Sequence, residues 1–202
     1  MNIFDYIGTQ FRKPTGFWGN VSTLIMNIIN RNQYKAVEKV LELKQDENVL
    51  DIGFGNGFII KKLSDKYKSS FYGIDISEDM VKIAQKKNPT AKLSQGDVNN
   101  LNFSENFFEK IYTMNTVYFW SDLSKGLEEI FRVLKDNGVF INSIKSKEFL
   151  NKLPITRNNF EKYTVKELVK ASENCGFSVE VKPFSKDREY CIICRKVRKL
   201  NG

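Results

Sequence analysis

The chain has 202 residues and a formal net charge of +8, with 32 lysine and arginine residues against 24 acidic ones. Hydrophobic residues make up 41% of the chain, which argues for one folded domain with a sizeable core and against disorder. No stretch reaches the roughly 18 apolar residues that a membrane span needs, and the beginning of the chain lacks a secretory pattern, so we expect a cytoplasmic protein.

Residues 1–45 are predicted to form an N-terminal helical strap or lid, ahead of a single domain over residues 46–202. Apolar residues recur at helical spacing within residues 21–29 and again within 34–41. The beginning of the chain is rich in aromatic residues and contains Phe11, Phe17 and Trp18. Two interpretations stay open for this stretch: a strap packed on the domain, or a lid over a substrate-binding cleft.

A glycine-rich turn follows the first predicted strand. The strand ends at Asp51, and glycines then follow at alternate positions before a helical pattern begins: Gly53, Gly55 and Gly57. Glycines allow a sharp turn and let a ligand approach the backbone closely. Exposed amides at such a turn form a site for a nucleotide-type cofactor at the carboxyl end of the first strand of an open α/β sheet.

The spacing of the glycines narrows the choice of cofactor. A dinucleotide motif has a glycine where this chain has Phe58, and a bulky residue there would obstruct packing of the helix on the sheet. A pyrophosphate would also be repelled by Asp51, whereas an ammonium group would be attracted. The pattern therefore favours the methionine end of S-adenosylmethionine over a nicotinamide cofactor, with a glycine-rich turn that binds no ligand as the alternative.

Two further predicted strands end in acidic residues at the same edge of the sheet. Asp75 ends the second strand about twenty residues after the glycine turn, the position of the ribose-binding acid in α/β nucleotide folds. Ser77 would cap the helix that follows. Asp97 ends a third strand predicted over residues 94–98. Taken singly, Asp75 could be a turn residue and Asp97 a loop acid.

The second half of the chain completes an alternating pattern. A fourth strand is followed by Asn115 and by three consecutive aromatic residues at 118–120, of which at least one is expected to line a cleft. A helical stripe over 123–134 precedes a strand at 139–144. A last helix, over 165–175, leads into a hairpin of two strands. Cys191 and Cys194 lie on the second of these strands, where their spacing predicts opposite faces and disfavours a metal site.

At this point the chain resembles the class I S-adenosylmethionine-dependent methyltransferases, in the small-molecule branch that includes ubiquinone and menaquinone biosynthesis. The resemblance is carried by VLDIGFGNG (49–57), YGIDIS (72–77), QGDVNNLNF (95–103) and RVLKDNGVF (132–140). It implies a single Rossmann-like α/β domain with a seven-stranded, mostly parallel sheet, an antiparallel C-terminal hairpin and helices on both faces. It also implies S-adenosylmethionine as cofactor and S-adenosylhomocysteine as product.

The family pattern assigns cofactor contacts to particular residues. It implies that Asp51 lies near the methionine amine, and that the glycines lie under the methionine and ribose. Asp75 is then expected at the ribose hydroxyls and Ile76 at the adenine face. Asp97 and the backbone of Val98 are expected at the adenine amino group, with Asn115 beside the methionine moiety.

The acceptor side is expected to be lined by aromatic residues. The predicted substrate-binding residues are Phe11, Phe17, Trp18, Tyr118 and Trp120, and residues 149–163 are expected to cover the acceptor. The chain contains no histidine, so Tyr118 and Tyr163 are the candidates for a catalytic base. A sulfonium donor is already activated, and positioning alone can promote in-line displacement onto an amine, a thiolate or a carbanion.

The sequence predicts methyl transfer to a small, aromatic or apolar acceptor and leaves the oligomeric state open. The basic charge keeps an RNA methyltransferase as an alternative, but lysines scattered among acids favour a solvated surface. A protein methyltransferase stays open too, as does a non-catalytic protein that binds S-adenosylmethionine.

Overall fold

The computed structural model describes residues 30–158, 160–185 and 188–197. Strands and helices alternate through most of this part of the chain, as the sequence predicts. The elements are α1 (Arg31–Leu41), β1 (Asn48–Ile52), α2 (Phe58–Ser64), β2 (Ser70–Asp75), α3 (Glu78–Lys87), β3 (Lys92–Gln95), β4 (Phe108–Met114), α4 (Leu123–Val133), β5 (Leu134–Lys145), α5 (Lys147–Leu150), α6 (Val165–Asn174), β6 (Phe177–Ser185) and β7 (Glu189–Lys196).

The strands form one seven-stranded sheet with the order β3-β2-β1-β4-β5-β7-β6. Strands β1 to β5 pair in parallel, whereas β7 runs antiparallel between β5 and β6. This arrangement confirms the predicted Rossmann-like α/β fold with an antiparallel hairpin at its C-terminal end. It places the carboxyl ends of β1, β2, β3 and β4 along one edge of the sheet, where ligands of open α/β sheets bind.

Helices cover both faces of the sheet, and each face has its own apolar core. One core contains Leu127 and Ile130 of α4 together with Leu168 of α6. The other contains residues of α1, α2 and α3, among them Val37 and Leu41. Helix α1, which lies within residues 1–45 predicted to form the strap or lid, packs in this second core.

The helix starts follow from local sequence. The Ser77 hydroxyl accepts a hydrogen bond from the amide of Met80, which confirms the predicted cap of α3. Asp122 caps α4 in the same way, and Thr164 begins α6 with a reciprocal capping box. The side chains of these capping residues satisfy backbone amides that the first helical turn leaves without partners.

Two predicted strand boundaries were wrong. Strand β3 ends at Gln95, so Asp97 lies in the following turn, where its carboxylate accepts a hydrogen bond from the amide of Asn99. Strand β5 begins at Leu134, earlier than predicted, because its pairing with β4 shifts register between Phe108 and Lys110. The turn residues at 136–138 therefore interrupt the ladder rather than begin the strand.

Cys191 and Cys194 lie in the opposite cores of the sheet, as their spacing on a strand predicts. Burial raises the pKa of both thiols. Both side chains therefore act as small apolar residues of the two cores.

Candidate cofactor site

Three glycines with left-handed backbone form the turn between β1 and α2. The φ angle is 77° at Gly53, 55° at Gly55 and 71° at Gly57, and only glycine adopts these values at little cost. A Cβ at Gly53 would lie 2.4 Å from the side chain of Thr116, and one at Gly57 would lie 2.5 Å from Nδ2 of Asn88. A Cβ at Gly55 would meet nothing within 4 Å. The outer glycines therefore permit close packing, whereas Gly55 borders open space that a ligand can enter.

Phe58 does not obstruct the packing of the helix on the sheet. It is the first residue of α2, is 42% exposed, and its ring centroid lies 5.6 Å from that of Tyr34. The close contact with α3 is made one residue earlier, where a Cβ at Gly57 would lie 2.8 Å from Cβ of Ala84. The spacing of the glycines thus fits a close-packed helix without the third glycine of a dinucleotide motif.

Asp75 at the end of β2 holds the glycine turn in place. One of its carboxylate oxygens accepts a hydrogen bond from the amide of Gly55, and the other accepts one from the amide of Ser77, both at 2.8 Å. Burial raises the pKa of this carboxyl group, and the two backbone amides partly offset that effect. Asp75 therefore has a structural role in addition to the predicted contact with ribose.

Asp51 at the end of β1 is a buried carboxyl group on the floor of the cleft. Its residual exposure is 4%. Burial raises its pKa to about 8; the hydroxyl of Tyr112 lowers the value and the charge of Asp75 raises it. The free protein at neutral pH therefore holds a mostly protonated Asp51, which a ligand ammonium group would convert to the carboxylate.

The residues predicted at the adenine end follow β2 and β3, whose carboxyl ends lie at the same edge of the sheet as the glycine turn. Ile76 is 41% exposed, although it is a large apolar residue. Asp97 is exposed as well, whereas the side chain of Val98 is buried in the core below α4. The exposed apolar surface of Ile76 and the exposed edge at Asp97 suit a flat, polar-edged ligand such as adenine.

Helix α1 and the residue before it contribute to the cleft in a way that sequence reasoning missed. Asn30 and Tyr34 line the cleft together with Asp51, the glycine turn and Met114. The pKa of Tyr34 is raised, chiefly by burial and then by the charge of Asp51. The apolar periodicity of α1 identified Tyr34 as a core residue, and nothing local in the sequence indicated that its core position borders the cleft.

Asn115 follows β4 directly and has the left-handed φ of 56°. Its side-chain amide pairs with that of Gln33 from α1: Nε2 of Gln33 donates to Oδ1 of Asn115 at 3.1 Å, and Nδ2 of Asn115 donates to Oε1 of Gln33 at 2.8 Å. The residue that follows, Thr116, is the one that approaches Gly53. The predicted methionine-side residue is therefore joined both to α1 and to the glycine turn.

The structure argues against Tyr118 and Trp120 as residues that line an open cleft. Both side chains are buried in the core below α4, at 2% and 8% exposure. The hydroxyl of Tyr118 accepts a hydrogen bond from the amide of Lys145 and donates one to its carbonyl oxygen. The chain forms a 3-10 turn at Val117–Phe119, so the aromatic residues do not alternate as on a strand. Both hydrogen bonds of the Tyr118 hydroxyl are thus made to the backbone of Lys145. Burial also raises the pKa of Tyr118, so that little of it is in the deprotonated form that could act as a base.

The remaining predicted acceptor residues are only partly placed. Tyr163 is partly buried against the same core. Burial raises its pKa, so less of it is in the deprotonated form that could act as a base. Phe11, Phe17 and Trp18 lie outside the described residues. Of the predicted acceptor residues, the described part of the chain thus contains Tyr118, Trp120 and Tyr163.

Lys196, a basic residue at the end of β7, has a structural role. The ammonium group of Lys196 donates to the side chain of Asn106 and to the carbonyl oxygens of Phe131 and Leu134, each at 2.8 Å. Such a lysine is not available to a phosphate backbone. Within the described part of the chain, no three histidine, cysteine or acidic side chains are grouped so as to hold a metal ion. In the same part, every helix is too short or too polar to cross a bilayer.

Comparison with known proteins identifies a methyltransferase domain. Residues 50–142 match the family model described as a methyltransferase domain. The uncharacterized methyltransferase YdaC of Bacillus subtilis is 28% identical over 121 residues, which cover 58% of this chain and 67% of YdaC. The demethylmenaquinone methyltransferase of Chlorobaculum tepidum is 29% identical over 104 residues, 52% of this chain and 43% of that protein. The human mitochondrial arginine-hydroxylase NDUFAF5 is 27% identical over 136 residues, 67% of this chain and 37% of that protein. The match thus spans less than half the length of each of the last two proteins.

Solved structures with the same fold extend over most of the chain. A methyltransferase from Aquifex aeolicus that depends on S-adenosylmethionine is 25% identical with a TM-score of 0.68, over 81% of this chain and 89% of that one. A structure of the Haloferax volcanii methyltransferase activator Trm112 in complex with a methyltransferase matches with a TM-score of 0.75 at 18% identity, over 98% of this chain and 99% of that one. The second match shows the fold alone.

The family match covers β1 to β5 and contains the glycine turn, both buried carboxyl groups and Asn115. The residues found there fit S-adenosylmethionine: an open turn at Gly55, a buried carboxyl group for an ammonium, and an exposed apolar surface for adenine. The chain thus carries a methyltransferase domain over residues 50–142, and its site residues and fold support a class I S-adenosylmethionine-dependent methyltransferase.

Proposed function

We propose that the protein transfers the methyl group of S-adenosylmethionine to a small, aromatic or apolar acceptor by in-line displacement. When bound, the cofactor supplies an activated methyl group on a sulfonium. The protein's own residues then have to bind the cofactor, orient the acceptor and exclude water.

The proposed cofactor-binding roles are those that the family resemblance implies, and the position of each residue along the sheet edge is compatible with them. Asp51 receives the ammonium group, and the backbone around Gly55 faces the methionine and ribose. Asp75 receives the ribose hydroxyls at the same place where it anchors the turn. At the far end Ile76 covers the adenine face, and Asp97 with the backbone of Val98 receives the adenine amino group.

One observation carries the proposal: the turn is open at Gly55 and closed at Gly53 and Gly57. In a turn that binds no ligand, the glycines would serve the φ angles alone, and the free space beside Gly55 would have no function. Here that space lies next to Asp51, a carboxyl group that burial keeps from ionising. A cationic ligand explains both features together, because it fills the space and stabilises the carboxylate.

The acceptor class is proposed from the side chains around this space. Phe58, Tyr34 and Met114 are large apolar or aromatic side chains on the cleft wall. The chain has no histidine, and burial raises the pKa of Tyr34, Tyr118 and Tyr163, so none of these three is suited to act as a base at neutral pH. Such a site suits an acceptor that is already nucleophilic at neutral pH, such as an amine, a thiolate or a stabilised carbanion. The similarity to a demethylmenaquinone methyltransferase supports an aromatic acceptor.

Transfer of a radiolabelled methyl group tests this proposal. The protein is incubated with methyl-labelled S-adenosylmethionine and, in separate reactions, with a small-molecule extract, total RNA and total protein. We expect label in the small-molecule fraction only. Label in RNA or protein would replace the proposed acceptor class, and binding without transfer to any fraction would favour a sensor or a different chemistry.

A further inference from the structure

The polar side chain of Gln33 is completely buried on the face of α1 that packs on the sheet. It lies one and two helical turns before Val37 and Leu41, both of them core residues with no exposure. An apolar residue would satisfy packing at this position at lower cost, because burying an amide is unfavourable unless each polar atom has a partner. The presence of glutamine therefore calls for a reason other than packing.

Every polar atom of the Gln33 amide has a partner at the carboxyl ends of β4 and β5. Its Nε2 donates to Oδ1 of Asn115 at 3.1 Å and to Oγ of Ser143 at 2.9 Å. Its Oε1 accepts from Nδ2 of Asn115 at 2.8 Å and from the ammonium group of Lys145 at 3.4 Å. This network favours one arrangement of its members, because a shift would leave a polar atom of the buried Gln33 amide without a partner.

Lys145 is itself fixed by contacts outside the amide of Gln33. Its ammonium group also donates to Oδ1 of Asn30 at 2.9 Å and forms an ion pair with Glu189 at 3.1 Å. The hydroxyl of Tyr118 accepts a hydrogen bond from the backbone amide of Lys145 and donates one to its carbonyl oxygen. The partner of Gln33 at β5 is therefore itself immobilised, so the amide of Gln33 has one orientation available.

Asn115 is the member of this network that borders the cofactor site. Its left-handed φ of 56° is a conformation that a residue other than glycine adopts at some cost in energy. Its neighbour Thr116 supports the glycine turn at Gly53, where a Cβ would meet the threonine side chain at 2.4 Å. Holding Asn115 in place therefore also holds the floor of the cofactor turn.

We propose that Gln33 is a positioning residue for methyl transfer: its amide fixes Asn115, and through Thr116 the glycine turn, in the arrangement that binds the cofactor. This inference rests on the proposed placement of Asn115 beside the methionine moiety. It makes α1 a part of the cofactor site although none of its helical residues was singled out by the cofactor motifs.

A double-mutant cycle on cofactor affinity tests the proposal. The variants are Gln33→Met, which keeps the volume and removes the hydrogen bonds, Asn115→Ala, and the double variant, each titrated with S-adenosylmethionine by calorimetry. If Gln33 acts through Asn115, Gln33→Met weakens binding about tenfold in the parent protein and less than about twofold in the Asn115→Ala background. A fold-change that is the same in both backgrounds, or no change in the parent, would overturn the proposal.

Two further variants separate positioning from general stability. Ser172→Ala removes a buried hydrogen bond of 2.9 Å within α6, on the other face of the sheet, and should leave cofactor affinity unchanged. Gln33→Glu keeps the acceptor atoms and loses the donors, so it should bind the cofactor with an affinity between those of the parent and Gln33→Met. If Gln33→Met does not fold, Gln33→Glu takes its place in the test. Equal loss of affinity in Ser172→Ala would contradict a positioning role. A parent protein that does not bind S-adenosylmethionine would instead refute the cofactor assignment itself.

Discussion

At the scale of single residues, two aspartates at neighbouring strand ends have different surroundings and different roles. Asp75 accepts two backbone hydrogen bonds, which favour its charged form and tie it to the glycine turn. Asp51 is buried beside Tyr112 and within the field of Asp75, and its pKa is about 8. Asp75 thus anchors the glycine turn, whereas Asp51 is the group whose charge is expected to change when a cationic ligand binds.

We predict that cofactor binding is linked to the ionisation of Asp51. Below about pH 8 the free protein holds a proton on Asp51, and an ammonium group favours the carboxylate, so binding releases this proton. Affinity for S-adenosylhomocysteine should therefore rise as the pH increases towards that pKa of about 8. Calorimetry in buffers of different ionisation enthalpy measures the released proton, and Asp51→Asn should abolish the release.

The same carboxyl group makes the stability of the free protein depend on pH. Its pKa rises from 3.8 in the unfolded chain to about 8 in the folded one, so between these values the folded state binds more protons. The free energy of unfolding contributed by Asp51 therefore falls as pH rises through this interval. Thermal melts of the parent and of Asp51→Asn should show a shallower decline in the variant, and identical slopes would exclude a buried proton on Asp51.

Asp75→Ala is expected to affect both binding and folding. Loss of the ribose contact should weaken cofactor binding by about 1–3 kcal/mol, the usual range for charge-assisted hydrogen bonds. Loss of the two backbone contacts should also lower the melting temperature, because the amides of Gly55 and Ser77 lose their acceptor. Titration and melting of this one variant test both effects, and unchanged affinity would leave Asp75 as a turn residue only.

At the scale of elements, the glycine turn divides into positions that serve packing and one that serves the ligand. Gly57→Ala should destabilise the fold strongly, because the new Cβ would lie 2.5 Å from Asn88 and 2.8 Å from Ala84 of α3. Gly55→Ala has no such contact and carries only the strain of its φ angle of 55°. We expect Gly57→Ala to show the larger drop in melting temperature.

Cofactor titration of the Gly55→Ala variant completes this comparison. The added methyl group occupies the space assigned to the ligand, so affinity should fall by more than the loss of stability explains. Parent-like affinity in this variant would mean that the ligand does not approach the turn at Gly55.

The elements around the site were predictable where they depend on local sequence. The turn after β1, the acid at the end of β2 and the cap at Ser77 are each fixed by residues within a few positions of one another. The pair formed by Gln33 and Asn115 was not, because it joins residues 82 positions apart and depends on how α1 lies on the sheet. A polar residue in the apolar stripe of α1 was the one local sign of it.

The directions of Tyr118 and Trp120 have a similar origin. The prediction was that three consecutive aromatic residues could not all face the core, so that at least one would line a cleft. In the structure Tyr118 and Trp120 are buried in the core, whereas Phe119 between them is only partly buried. The 3-10 turn at Val117–Phe119 decides which of them faces the core, and this backbone conformation could not be predicted from the number of aromatic residues.

At the scale of the whole molecule, the described residues form one sheet with two cores, and α1 borders the cofactor edge. The predicted lid residues precede the described part of the chain. We expect removal of residues 1–18 to lower turnover with the labelled acceptor fraction while cofactor affinity stays within about twofold of the parent. Unchanged turnover would assign this stretch to packing.

The cofactor edge of this sheet is expected to bind S-adenosylmethionine and not a nicotinamide cofactor, and every role assigned above depends on that choice. Calorimetric titration of the full chain with S-adenosylhomocysteine and, separately, with NADH decides between the two. We predict saturable binding of S-adenosylhomocysteine, with a melting temperature that rises with ligand concentration because only the native state binds it. We predict no binding of NADH; binding of NADH without binding of S-adenosylhomocysteine would refute the cofactor assignment.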